Sequence, residues 1–215
     1  MSYKLAIFDL DGTLLNTTQG ILECVESTAA ELGFPAKERE VLITFIGPPL
    51  QDSFQRVYGC DRKTADLATV IFRKYYSGGL MYHAEPYEGI FTLCEKLQKD
   101  GVRLAVATYK KEDYARQLLG YFGFDRYMDV IRGADKDAKL TKSDIIGLCI
   151  EETGVGKEDA VLIGDTLFDA KGANDAGVDF LAVTYGFGFR DEKEFESYPY
   201  IGAANNTEEI EKFIL

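Results

Sequence analysis

Two aspartates separated by one residue open the segment Asp9-Leu10-Asp11-Gly12-Thr13, at the end of the apolar run KLAIFDL. Carboxylates two residues apart at the exit of a buried strand point the same way if the strand geometry persists, and they repel each other without a cation. Further along, Thr108 ends the run VRLAVAT, and AVLIGD ends on Asp165, with Asp169 four residues on. In an open parallel α/β sheet, ligands bind at the carboxyl ends of the strands, beside the point where strand order reverses. Three strand ends thus deliver acids and a hydroxyl to one edge. An all-oxygen cluster without His or Cys selects a hard ion such as Mg2+, which typically takes one or two carboxylates together with waters and phosphate oxygens.

The elements that must hold these groups are short apolar runs at 4–10, 102–108, 127–131, 160–165 and 179–185, each ending where polar or Gly-rich sequence begins. Such runs suit strands buried on both faces. Between them lie helical spacings, including Ile90, Leu93 and Leu97, and Ile145, Ile146, Cys149 and Ile150. Alternating strand and helix predicts an α/β fold with a doubly wound, Rossmann-like parallel sheet. From Thr17 to Tyr82 the alternation stops, and only helical patterns appear, at 18–33, 37–46, 49–58 and 62–77. The expected organisation is a core of residues 1–16 and 83–215 carrying an all-helical cap at 17–82, with a hinge near 14–17 and 79–87.

A formal net charge of −12 repels phosphate backbones and anionic headgroups, so nucleic acid and membrane surfaces are not expected partners. A small anionic substrate then requires local positive charge at the site. Cys24, Cys60, Cys94 and Cys149 form no CxxC pair and read as reduced thiols of a cytoplasmic protein. No window approaches the ~20 apolar residues of a membrane helix. His83, the only histidine, reads as a connector residue in the hinge. GVGKED and GFGF satisfy neither phosphate-loop pattern and read as turns.

Asp9-Leu10-Asp11-Gly12-Thr13 resembles the DxDGT signature of the haloacid dehalogenase superfamily, and the other motifs follow in order. Thr108 in VATYK matches the second motif, Lys142 in KLTKSDII the third, and Gly164-Asp165-Thr166-Leu167-Phe168-Asp169 the fourth, GDxxxD. Lys139, three residues before Lys142, is the alternative for the motif lysine. The resemblance spans essentially the whole chain, and the helical insert falls where that family carries a helical cap. FIGPPL at 45–50 and VTYGFG at 183–188 look most like the phosphoglycolate-phosphatase group.

This resemblance implies a Mg2+-dependent phosphatase acting on a small phosphate monoester, such as phosphoglycolate or a nucleoside monophosphate. Asp9 is the nucleophile that becomes phosphorylated. Asp11 protonates the leaving group and later takes a proton from water, for which neighbouring negative charge is expected to raise its pKa. The metal is held by Asp9, Asp165 and the main-chain carbonyl of Asp11. Thr108, the amide of Tyr109 and Lys142 bind the phosphoryl group. Asp169 orients Lys142 or a metal-bound water, and the Thr13 hydroxyl fixes the turn after the first strand. The expected partner is a small phosphorylated metabolite, and the expected assembly a monomer or homodimer. A phosphomutase is the alternative on the same fold, and a phospho-accepting signalling domain is a more distant one.

Overall fold

The computed structural model describes residues 2–135, 139–189, 193 and 195–215. The chain divides into two compact units, Met1–Leu15 with Pro86–Leu215, and Asn16–Glu85. The first boundary lies one residue before the expected one and the second three residues after it.

In chain order the elements are β1 (Leu5–Phe8), β2 (Leu15–Asn16), α1 (Thr18–Glu31), α2 (Arg39–Ile43), α3 (Leu50–Tyr58), α4 (Arg62–Ser77) and β3 (Glu85–Pro86). They continue with α5 (Ile90–Lys99), β4 (Arg103–Lys111), α6 (Glu112–Phe122), β5 (Val130–Ala134) and α7 (Lys142–Thr153). The chain ends with β6 (Ala160–Gly164), α8 (Leu167–Ala176), β7 (Asp179–Val183), β8 (Gly202–Ala204) and α9 (Thr207–Ile214). Strands β2 and β3, where the chain passes between the units, pair with each other.

The larger unit is built on a six-stranded sheet in the order β5-β4-β1-β6-β7-β8, in which every pairing is parallel. Counting only its own strands in sequence, the order is 3-2-1-4-5-6, the doubly wound arrangement with its switch point beside the first strand. Central β1 pairs Leu5 through Phe8 with Arg103 through Val106 on one side and with Ala160 through Ile163 on the other. All of β1 and all of β6 are buried, which is why both read as unbroken apolar runs rather than alternating ones. Alternation instead decides the face. Leu5, Ile7, Ala105, Ala107 and Leu162 join Ile145, Ile146 and Cys149 of α7 and Ala170 and Ala173 of α8 in one core cluster.

Two elements differ from expectation. The run at 127–131 becomes a strand only at Val130, because Tyr127 and Met128 are spent in a turn whose N–H groups donate to the Phe124 carbonyl. Their burial comes from packing, not from the sheet. Strand β8 was not foreseen: Gly202-Ala203-Ala204 carries no β-branched or aromatic signal, and it is held by pairing with Leu181, Ala182 and Val183.

In the helical unit the expected segments appear as α1 to α4. Ile21, Leu22 and Val25 of α1 and Ala65, Ala68, Ile71 and Phe72 of α4 are buried at helical spacing. Asp61 caps α4 by accepting the Thr64 N–H at 2.8 Å. Of the aromatic group near the end of α4, Phe72 and Tyr76 are core, while the Tyr75 hydroxyl donates to Glu31 on α1. Within the same unit His83 Nδ1 lies 2.6 Å from Glu23. Burial pushes the Cys94 and Cys149 thiols up to about 12, as inert core residues. Among the described residues no helix is long and apolar enough to cross a membrane.

Leu162→Ala empties a fully buried position beside the central strand, and it should lower stability by about 2–5 kcal/mol. A urea titration reads this as a lower midpoint at unchanged slope; an unmoved midpoint contradicts the packing described.

Candidate active site

The ladder of β1 runs one residue past its end, because the Asp9 N–H donates to the Ile163 carbonyl at 2.9 Å. This fixes Asp9 at the switch point, with its side chain almost wholly buried. The chain then turns tightly: the Leu10 carbonyl accepts from the N–H groups of Thr13, Leu14 and Leu15. Gly12 takes φ +91°, a conformation that L side chains rarely adopt, and a Cβ there would collide with the Asp165 carboxylate.

Lys142 is set by the start of α7. The Thr141 hydroxyl accepts from the Asp144 N–H while the Asp144 carboxylate accepts from the Thr141 N–H, a capping box. Lys142 is thereby the first helical residue, and its N–H, which the helix leaves unused, donates to the Tyr109 hydroxyl at 2.9 Å. Its stem is buried where α8 offers Gly172, since a Cβ at that position would overlap it. The ammonium lies 2.6 Å from Asp9 Oδ1 and 2.6 Å from Asp169 Oδ1.

Asp169 is held by the start of α8 in the same way. Its Oδ2 accepts from the Thr166 N–H at 3.0 Å and the Thr166 hydroxyl at 2.7 Å, which leaves Oδ1 for Lys142. Asp165, at the end of β6, accepts through Oδ2 from the N–H groups of Phe187 and Gly188 at 2.8 and 3.2 Å. Its Oδ1 is buried and has no hydrogen-bond partner among the described residues. A Cβ at Gly186 would also overlap this carboxylate. Thr108 lies in β4 where the register against β5 shifts between Ala107 and Lys111, and its buried hydroxyl accepts from the Lys110 N–H at 3.1 Å.

Oxygen atoms of Asp9, Asp165 and Asp169 lie within 4.8 Å of one another, and this crowding governs their protonation. Burial raises the Asp9 pKa to about 7; the Lys142 ammonium opposes the rise, and the charges of Asp169 and Asp11 add to it. Asp165 is pushed well above the carboxylate range by burial and then by Asp169 and Asp9, against the two N–H groups it accepts from. For Lys142, burial alone depresses the pKa, but Asp169 and Asp9 more than offset this and hold the ammonium charged. One cation thus faces three buried carboxylates.

The residues expected at the site do meet there, with corrections. Asp9 and Asp11 do not share a direction, because the strand geometry ends before Asp11: Asp9 faces Lys142, whereas Asp11 Oδ2 lies 3.0 Å from Lys110 Nζ. Asp11 therefore has a cation, Lys110, beside it as well as the negative charge of Asp9 that was expected. The Asp11 carboxylate is outside the cluster of Asp9, Asp165 and Asp169. Asp169 belongs to that cluster, and its Oδ1 lies against Lys142 while its Oδ2 accepts from Thr166. The Thr13 hydroxyl does not fix the turn, since it is buried without a partner and the backbone bonds to Leu10 close the turn instead. The Thr13 carbonyl accepts from the Tyr185 hydroxyl at 3.0 Å. Lys142, not Lys139, reaches Asp9; Lys139 is exposed and its N–H donates to Asp135.

Sequence reasoning missed Lys110 and the loop around Phe187 and Gly188. The side chain of Lys110 is only 8% exposed, and its signal was the lysine that closes VATYK, two residues after Thr108. The loop's signal was the alternating glycines of GFGF, read only as a turn.

The family model described as haloacid dehalogenase-like hydrolase matches residues 6–183. A 5'-nucleotidase of Pseudomonas aeruginosa is 36% identical over 89% of this chain and 87% of its own length. The tyrosine-protein kinase PtkA of Mycobacterium tuberculosis is 34% identical over 88% of this chain, which spans 65% of that longer protein. A phosphoglycolate phosphatase of Thiobacillus denitrificans is 31% identical over 86% of this chain and 84% of its own. The crystal structure described as a predicted phosphatase from Clostridium acetobutylicum superimposes with a TM-score of 0.91 at 33% identity, covering 100% of this chain and 99% of that one. With Asp9, Lys142 and Asp165 gathered at the switch point of the sheet, the chain belongs to the haloacid dehalogenase-like hydrolases, as one of the family's phosphatases.

Proposed function

We propose that this phosphatase is Mg2+-dependent and hydrolyses a small phosphate monoester, phosphoglycolate or a nucleoside monophosphate, through a phosphoaspartate at Asp9. The helical unit Asn16–Glu85 is assigned the part of the family's cap. The protein works in the cytoplasm on a phosphorylated metabolite, as a monomer or homodimer. The observation that carries the reading is the Lys142 ammonium, 2.6 Å from both Asp9 and Asp169, which cluster with an Asp165 whose buried Oδ1 has no hydrogen-bond partner among the described residues.

The donor set fits a hard divalent cation. Only oxygens are offered, Asp165 Oδ1 has no hydrogen-bond partner among the described residues, and the missing side chains of Gly12 and Gly186 keep the Asp165 carboxylate uncovered. Asp9 and Asp165, with the main-chain carbonyl of Asp11, would hold it. Magnesium bound there supplies the positive charge that lets a phosphate dianion approach an anionic nucleophile.

The remaining work belongs to the side chains. An Asp9 carboxylate oxygen forms a bond to phosphorus as the bond to the ester oxygen breaks, and Asp11 gives its proton to the departing oxygen. Asp11 then takes a proton from water as that water attacks phosphorus, releasing inorganic phosphate and restoring the Asp9 carboxylate. Lys142, oriented by Asp169, counters the charge on Asp9 and on the phosphoryl oxygens. The hydroxyl of Thr108 and the amide of Tyr109 donate to those oxygens. Lys110 fixes the Asp11 carboxylate in place. A phosphomutase differs by passing the phosphoryl group to a sugar instead of water.

Asp9→Asn should leave a folded protein that releases no phosphate from para-nitrophenyl phosphate and takes up no acid-stable, base-labile label from a radioactive phosphodonor. EDTA should abolish wild-type turnover and Mg2+ restore it, with no isomerised sugar phosphate formed. Substantial turnover by the Asn variant would falsify the nucleophile assignment.

The raised Asp9 pKa also makes stability depend on pH. The native carboxyl titrates at about 7, whereas an unfolded aspartate titrates near ~3.9. Between those values the native state holds a proton that the unfolded chain has lost, so stability falls as pH rises through the window. The urea midpoint of EDTA-treated protein should therefore drop between roughly pH 5 and pH 7.5. The drop should be smaller in Asp9→Asn, and a pH profile identical in the two proteins contradicts the shift.

A further inference from the structure

We propose that Tyr109 and Phe168 form an aromatic ledge that binds the leaving group, and that this ledge selects nucleoside 5'-monophosphates, with the base on the rings. The inference deepens the phosphatase reading and rests on it. Among the described residues, nine large hydrophobic side chains are exposed, and three of them flank catalytic groups in sequence: Tyr109 near the end of β4, and Leu167 and Phe168 at the start of α8. Tyr109 directly follows Thr108, and Leu167 and Phe168 separate Asp165 from Asp169. Tyr109 and Phe168 are 37% and 39% exposed. Apolar surface gathered at the rim of a polar site is the usual mark of a ligand's apolar part.

The rings are also placed and held. The Tyr109 hydroxyl is anchored by the Lys142 N–H at 2.9 Å, and the Lys142 ammonium lies 5.8 Å from the Tyr109 ring centre. The Phe168 ring meets Tyr109 edge-on, at 85° and 5.8 Å between centres. The Tyr109 ring centre is thus 5.8 Å both from the ammonium that touches Asp9 and from the Phe168 ring centre, so Phe168 lies at most two such steps from that ammonium. A ribose and its base can bridge such a span from a 5'-phosphate, and the two carbons of glycolate cannot. An offset base gains dispersion and buried area on such rings, whereas their negative faces repel a glycolate carboxylate. Stacking of a base on a protein ring is worth roughly 5- to 150-fold in affinity.

The test compares AMP with ribose 5-phosphate, which differ only in the base. Wild-type protein and Phe168→Ala and Phe168→Trp are assayed for kcat and KM with Mg2+. The same changes are made in the Asp9→Asn background, and binding of both compounds is measured by calorimetry. We expect Phe168→Ala to lower the preference for AMP over ribose 5-phosphate by roughly 5- to 150-fold, chiefly through KM, and Phe168→Trp to retain it. The binding preference should follow the same pattern. A preference that Phe168→Ala leaves unchanged, or an equal loss on both compounds, overturns the ledge. Base-dependent binding that requires Phe168, in a protein that releases no phosphate, supports the ledge and instead sinks the hydrolytic reading.

Discussion

Three carboxylates buried within 4.8 Å of one another, with one ammonium among them, form the constraint on which the site depends. Burying like charges together is unfavourable unless each is paired or hydrogen-bonded. Lys142 therefore has to bridge Asp9 and Asp169, and its position is fixed from several directions at once. The capping box of α7 sets its backbone, Tyr109 takes its N–H, and the absent side chain of Gly172 admits its stem. Asp169 is fixed in turn by the box at the start of α8. Two helix starts, built from the same Thr and Asp chemistry, are thus aimed at one aspartate.

The sheet explains why these groups meet. Its strand order reverses beside β1, so the loops after β1, β4 and β6 open at one edge although they are far apart in sequence. The buried runs made this legible, because a fully covered parallel strand leaves no polar residue until it ends, and the first polar residues are then those that face the crevice. Asp9, Thr108, Asp165 and Asp169 were read on that basis. Lys142 was not; it lies inside a helix start where nothing in the periodicity separates it from Lys139, and only the motif resemblance chose it.

What escaped sequence reading depended on distant partners or on backbone. The pairing of Lys110 with Asp11 joins two strand ends, and a lysine in VATYKK reads by itself as a solvated residue. The N–H donors of Phe187 and Gly188 to Asp165 carry no side-chain signature. Strand β8 exists because β7 has an open edge, not because Gly-Ala-Ala prefers to be extended. The Thr13 hydroxyl was assigned to a turn that the Leu10 carbonyl already closes.

The same accounting of charge bears on how a protein of net charge −12 receives a phosphate dianion. Its two buried lysines at the site are committed: Lys142 to Asp9 and Asp169, and Lys110 to Asp11. The side chains alone therefore present no surplus of positive charge to an incoming phosphate, and Asp165 adds a further negative group. Burial raises the Asp9 and Asp165 carboxyls most, and the neighbouring carboxylates add to it. A proton can relieve the imbalance, but a protonated Asp9 is no nucleophile. A divalent cation relieves it while leaving Asp9 ionised, so the proposed dependence on magnesium follows from the same imbalance that holds Lys142 in place.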